Sequence, residues 1–171
     1  MTLLSANQHV VLEVVGGMNG GCGASLFDFV RVLPDGTSQI GPGGLGWRVP
    51  AGDVLVVTDV DWEYVHPQGA AAAGKIEVLR LIIENLANPD VSRRAFESTI
   101  TLSSQGQGGI SEAMNSGFVV SPAARICPDI FPGPQGPPFG LQHLILRGYL
   151  IAGPVHPVTP VPPIGPAAAA P

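Results

Sequence analysis

Apolar and β-branched runs of five to eleven residues recur along the chain, and they close on Gly, Pro, Asn or Asp. Strands repeat their side-chain direction every second residue and helices every 3.6, so this pattern predicts strands joined by turns. The expected strands lie at 9–15, 24–33, 54–64, 75–84, 95–103, 117–121 and 141–151, with weaker candidates at 47–49, 110–114 and 125–127. The segment 75–87 also sets Leu79, Ile82, Ile83 and Leu86 at helical spacing. Gly74 before it and its β-branched content favour a strand. Leu33-Pro34-Asp35-Gly36-Thr37 and Val49-Pro50-Ala51-Gly52-Asp53 are turn sequences, in which Pro presets φ and Gly accepts a positive φ. Loops are expected at 41–46, 68–74, 105–109 and 128–140.

Three runs are apolar at every position: Val54-Leu55-Val56-Val57, Phe118-Val119-Val120 and Leu144-Ile145-Leu146. A sheet with one wet face would alternate, so these strands are expected to be covered on both sides. Loops of the same chain or other subunits could supply the cover. The composition favours subunits, because only 12% of residues are charged where about 25% is usual. Phe118, Leu146 and Tyr149 are the expected interface residues.

With 171 residues the chain suits one core. The 23 Gly and 18 Pro favour turns over long helices. From Gly153 onward the sequence is uncharged and rich in Pro and Ala, which predicts a domain at 1–152 and an extended tail at 153–171. Net charge is -5, with one Lys among eight basic residues, so no basic stripe exists to neutralise phosphates and nucleic acid is excluded as a partner. The N-terminal residues carry no basic, apolar leader pattern, and no window has the length of apolar sequence that a spanning helix needs. A cytoplasmic protein, or one inside an assembled particle, is expected, without membrane insertion.

Cys22 and Cys127 have no second ligand at zinc spacing. Two readings stay open: a pair of buried thiols, favoured by the missing leader, or a disulfide that stabilises by up to about 5 kcal/mol through loop closure.

In Thr58-Asp59-Val60-Asp61-Trp62-Glu63-Tyr64, alternation puts Asp59, Asp61 and Glu63 on one face and Val60, Trp62 and Tyr64 on the other. The three acids are the candidates for a Ca²⁺ site. Carboxylates about 6.5–7 Å apart along a straight strand are too widely set for one ion, so a solvated face, or a salt-bridged subunit contact with Arg80, Arg93, Arg94 or Arg125, is favoured. Trp47, Trp62 and Tyr64 are candidates for stacking a sugar ring, with packing as the plainer alternative. The Gly16–Gly23 segment lacks the Lys-Ser/Thr of a phosphate loop. No nucleophile elbow, zinc-protease pair or Cys-His arrangement is present, and His9, His66, His143 and His156 are scattered in sequence. No catalytic residue and no cofactor are expected.

The closing run Leu144-Ile145-Leu146-Arg147-Gly148-Tyr149-Leu150-Ile151 resembles the last strand of C1q- and TNF-like jelly rolls, which often ends in a small residue, an aromatic and an aliphatic. The resemblance implies a two-sheet jelly roll that assembles as a compact homotrimer, with the final strand near the threefold axis. The expectation is therefore an all-β, antiparallel sandwich of jelly-roll type acting as a non-enzymatic, homo-oligomeric assembly protein. A carbohydrate- or ligand-binding module, with or without calcium, is the alternative.

Overall fold

In the computed structural model, residues 8–14, 29–41, 46–88, 90–131 and 140–153 are described. The strands are β1 (His9–Val14), β2 (Phe29–Val32), β3 (Ser38–Gln39), β4 (Asp53–Val65), β5 (Ile76–Asn85), β6 (Ser92–Thr101), β7 (Gln107–Val120), β8 (Ala124–Phe131) and β9 (Leu141–Ala152). They form a six-stranded sheet in the order β3-β2-β1-β9-β4-β7 and a three-stranded sheet in the order β6-β5-β8, and every pairing is antiparallel. A short 3-10 turn lies at Gly69–Ala72, between β4 and β5. The protein is an all-β, two-sheet sandwich.

Each sheet turns one face inward. Val10, Leu12, Leu55, Val57, Val60, Trp62, Leu144 and Leu146 of the large sheet meet Leu79, Leu81, Ile100, Ile126 and Ile130 of the small one in a single buried cluster. Burying each such side chain stabilises the fold by about 1.5–3 kcal/mol. The segment 75–87 forms β5 rather than a helix, because Leu79 and Leu81 then share this inward face. The Pro34 and Pro50 turns form as expected, with Gly36 at φ 82° and Gly52 at φ 88°.

Thr58 interrupts the alternation of β4. The register shifts between Val57 and Asp59 against both neighbours, so inward positions change from Leu55 and Val57 to Val60, Trp62 and Tyr64. This bulge presses two carbonyls against the flanking strands, and a glycine receives each. A Cβ on Gly148 of β9 would lie 2.0 Å from the Val56 oxygen, and one on Gly117 of β7 would lie 2.2 Å from the Val57 oxygen.

Several sequence expectations need correction. The candidates at 110–114 and 117–121 are parts of one long strand, β7, which begins at Gln107 inside the expected loop 105–109. Strand β8 continues to Phe131, through Pro128, where a loop is expected. As an edge strand of its sheet it tolerates the missing Pro N–H. Trp47 and Val49 are buried but the segment belongs to no strand; it is anchored where the Trp47 N–H donates to the Phe29 carbonyl at 2.7 Å. Cys127 is disulfide-bonded, which overturns the buried-thiol reading. Cys22, the Gly16–Gly23 segment, residues 24–28 of an expected strand, His156 and the tail from residue 154 lie outside the described residues.

Candidate functional site

The outer face of the six-stranded sheet carries Asp59, Asp61, Glu63 and Tyr149 of the residues singled out in the sequence, together with His9 and His143. Across β9, β4 and β7 the register aligns Val54 with Ile151 and Val56 with both Tyr149 and Val119. One turn of the pleat further, Asp59 stands beside Arg147, Asp61 beside Ile145 and Glu63 beside His143. From β1, His9 aligns with Tyr149, Val11 with Arg147 and Glu13 with Ile145. The Thr58 bulge therefore divides this face into an apolar half and an ionic half.

The apolar half is partly wet in the single chain. Val119 is 54% exposed and Ile151 40%, whereas Val56 between their strands is buried. Of the expected interface residues, Tyr149 is on this face and half-buried. Leu146 is a correction: alternation along β9 turns it inward, where it is sealed in the core and cannot meet another chain. Phe118 is likewise packed against the core and only partly buried.

In the ionic half, the Thr58 hydroxyl donates to Asp59 Oδ2 at 2.7 Å and Arg147 Nη2 donates to Asp61 Oδ2 at 3.3 Å. His143 stands between two acids, with Nε2 3.5 Å from Asp61 Oδ1 and Nδ1 3.4 Å from Glu63 Oε2. The acids share one face, as alternation predicts, but their neighbours are the Arg147 guanidinium and the His143 imidazole of the same chain. Arg80 and Arg94 instead bind Glu97, and Arg125 binds Glu84. Among the described residues no group of three His, Cys, Asp or Glu side chains has metal-holding geometry. Each ion pair here is solvent-screened and contributes about 0–1 kcal/mol.

The aromatic candidates are not at a surface. Trp62 is 1% exposed and Tyr64 4%, both between the sheets, and Trp47 is buried under the Arg31 guanidinium, 5.8 Å from its ring. None offers a free face to a sugar, so packing is their role. The cavity beside Trp47, lined by Leu12, Phe29, Leu55 and Ile126, holds about 20 Å³, room for one water and no substrate.

Two buried carboxylates escaped the sequence reading. Glu77 faces inward at the end of β5, 4% exposed, with His66 Nε2 3.8 Å away and the Tyr64 ring nearby. Burial raises the Glu77 carboxyl above its ordinary value, against a partial lowering by His66 and Lys75. Burial, and then the charge of Glu77, push the Tyr64 hydroxyl up to about 12. His66 Nδ1 accepts the Gln68 N–H at 3.0 Å, so this imidazole braces a turn. Glu84 faces outward from β5 yet is only 2% exposed; Arg125 Nη2 donates to it at 2.8 Å, and the Cys127 sulfur lies 3.8 Å from its other oxygen. Only an Arg directly opposite in the β5–β8 register could have signalled this pair, and register is invisible in a single sequence.

Comparison with known proteins adds no family: no protein-family model matches the chain and no curated protein is detectably similar to it. Among the described residues no helix is long and apolar enough to cross a membrane.

Proposed function

We propose that the protein is a non-enzymatic assembly unit whose copies meet through the apolar half of the six-stranded sheet's outer face. The observation that carries this reading is the contiguous set Val54, Val56, Val119, Tyr149 and Ile151, brought together by register from three adjacent strands. A contiguous apolar patch on a chain with 12% charge is the kind of surface that obligate interfaces cover.

The strand pairing also supports a jelly-roll reading. A jelly roll is a long antiparallel hairpin wrapped into two sheets, so its first strand pairs with its last, its third with its sixth and its fourth with its fifth. The pairs β1–β9, β4–β7 and β5–β6 fill those places, with β2 and β3 together taken as the second strand. The remaining pair, second with seventh, has no counterpart, since β2 stays beside β1 rather than crossing to β8. In this reading the closing strand β9 contributes Tyr149 and Ile151 to the associating face, in keeping with the compact homotrimers that the closing-strand sequence resembles.

Light scattering at low micromolar concentration tests the assembly, with three chain masses expected. Val119→Asp and Tyr149→Asp should each dissociate it, because a charge would be buried without a partner. Val119 is exposed in the single chain, so its variant should stay folded as a monomer. A monomeric wild-type protein would refute the proposal.

A further inference from the structure

The opposite side of the sandwich carries a second surface with different chemistry. Arg80, Ile82, Ser92, Arg94 and Asp129 line an open groove of about 500 Å³ on the outer face of the small sheet. Register places Arg80 between Glu97 on β6 and Asp129 on β8, and Ile82 beside Arg94. Arg80 Nε donates to Glu97 Oε2 at 2.9 Å, and Arg94 Nη1 donates to the same oxygen. The two guanidinium groups therefore already converge on one carboxylate oxygen, and their hydrogen bonds hold the Glu97 carboxyl below its ordinary value. Arg94 keeps 55% of its side chain exposed and Glu97 40%. That carboxylate is held at the surface, where an incoming one can compete with it.

We infer that this groove binds a saccharide bearing a carboxylate. The donor set selects the ligand class. Two arginines supply charge-assisted donors to an anionic group. A simple phosphate or sulfate has nothing to donate to Asp129 and Ser92, whereas the ring hydroxyls of a saccharide can donate to both and offset the Asp129 charge. Ile82 provides an apolar floor for the ring carbons. The volume falls within the range of small-molecule sites, and the open shape means weak binding that many copies in an assembly would strengthen through avidity. The groove and the proposed assembly face lie on opposite sides of the sandwich, so one can be occupied with the other.

The test is titration of the full chain with 3′-sialyllactose and with digalacturonate, followed by NMR, with lactose and sodium sulfate as controls. Saturable shifts are expected with at least one acidic saccharide and with neither control. Arg94→Ala should weaken binding about tenfold or more, as loss of a charge-assisted hydrogen bond does. Glu97→Gln removes the internal competitor and should tighten binding. Val119→Asp should bind unchanged even as a monomer, which separates this site from the assembly reading. Absence of binding by both saccharides, equal binding by lactose or sulfate, or unchanged binding in Arg94→Ala would overturn the inference.

Discussion

Trp62 Nε1–H donates to Ser98 Oγ at 2.9 Å, and this buried hydrogen bond links the two sheets directly. Trp62 belongs to β4 at the interior of the large sheet, and Ser98 to β6 at the edge of the small one. An indole N–H buried between sheets would cost stability without an acceptor, and a serine at an otherwise apolar inward position supplies it. The pair sets which residues of the two sheets face each other.

Replacing Ser98 with Ala should destabilise the fold by about 1–3 kcal/mol, since it strands the Trp62 donor in the core. Trp62→Phe in the Ser98→Ala background should cost less than the two single effects added together, because the donor and acceptor then disappear as a unit. Urea unfolding of the four proteins measures the coupling; strict additivity would show that the hydrogen bond contributes nothing.

The bulge at Thr58 makes Gly148 irreplaceable. A methyl group 2.0 Å from the Val56 oxygen meets backbone of an interior strand, which cannot yield without breaking the β4–β9 ladder. Gly148→Ala should fail to fold, or should melt far below the wild type. Gly36→Ala, where a Cβ has open space and only the φ of 82° opposes it, should cost about 1 kcal/mol.

Glu77 should make stability fall as pH rises. Its carboxyl titrates above the ordinary 4.5 in the folded chain because burial disfavours the charge. A carboxyl raised on folding contributes stability that is complete below its unfolded value and is lost as pH climbs through its folded value. Glu77→Gln should therefore raise the melting temperature at pH 7, by about 2–4 °C for each kcal/mol, with the advantage vanishing near pH 4. An unchanged or lower melting temperature at pH 7 would show that the His66 contact outweighs the burial.

Tyr64 should ionise late. Its hydroxyl is pushed from 10 to about 12, so absorbance titration of the phenolate should show a step there that Tyr64→Phe removes. The stability associated with its neutral form is present below pH 10 and lost between 10 and 12. Alkaline unfolding should begin in that window and should start higher in Tyr64→Phe.

The strands were legible wherever their apolar runs were bounded by turn chemistry: β1, β4, β5 and β9 follow the expected segments to within two residues. Alternation also placed Asp59, Asp61 and Glu63 opposite Val60, Trp62 and Tyr64, because side-chain direction in a strand is a local property. Local pattern failed at β7 and β8, whose polar, glycine-bearing and proline-bearing residues become strand through pairing with a neighbour. The neighbours of the acids were beyond it as well. His143 and Arg147 reach Asp61 because β9 lies beside β4 in one register, and Arg80, Arg94 and Asp129 meet only because β6 and β8 flank β5. The sequence by itself determined the fold class and which residues of a strand share a face, since both follow from backbone geometry over a few bonds. Which face became core, which strands became neighbours, and therefore which charges met, required closing loops between distant segments. Only the packing of the two sheets into one core decided that.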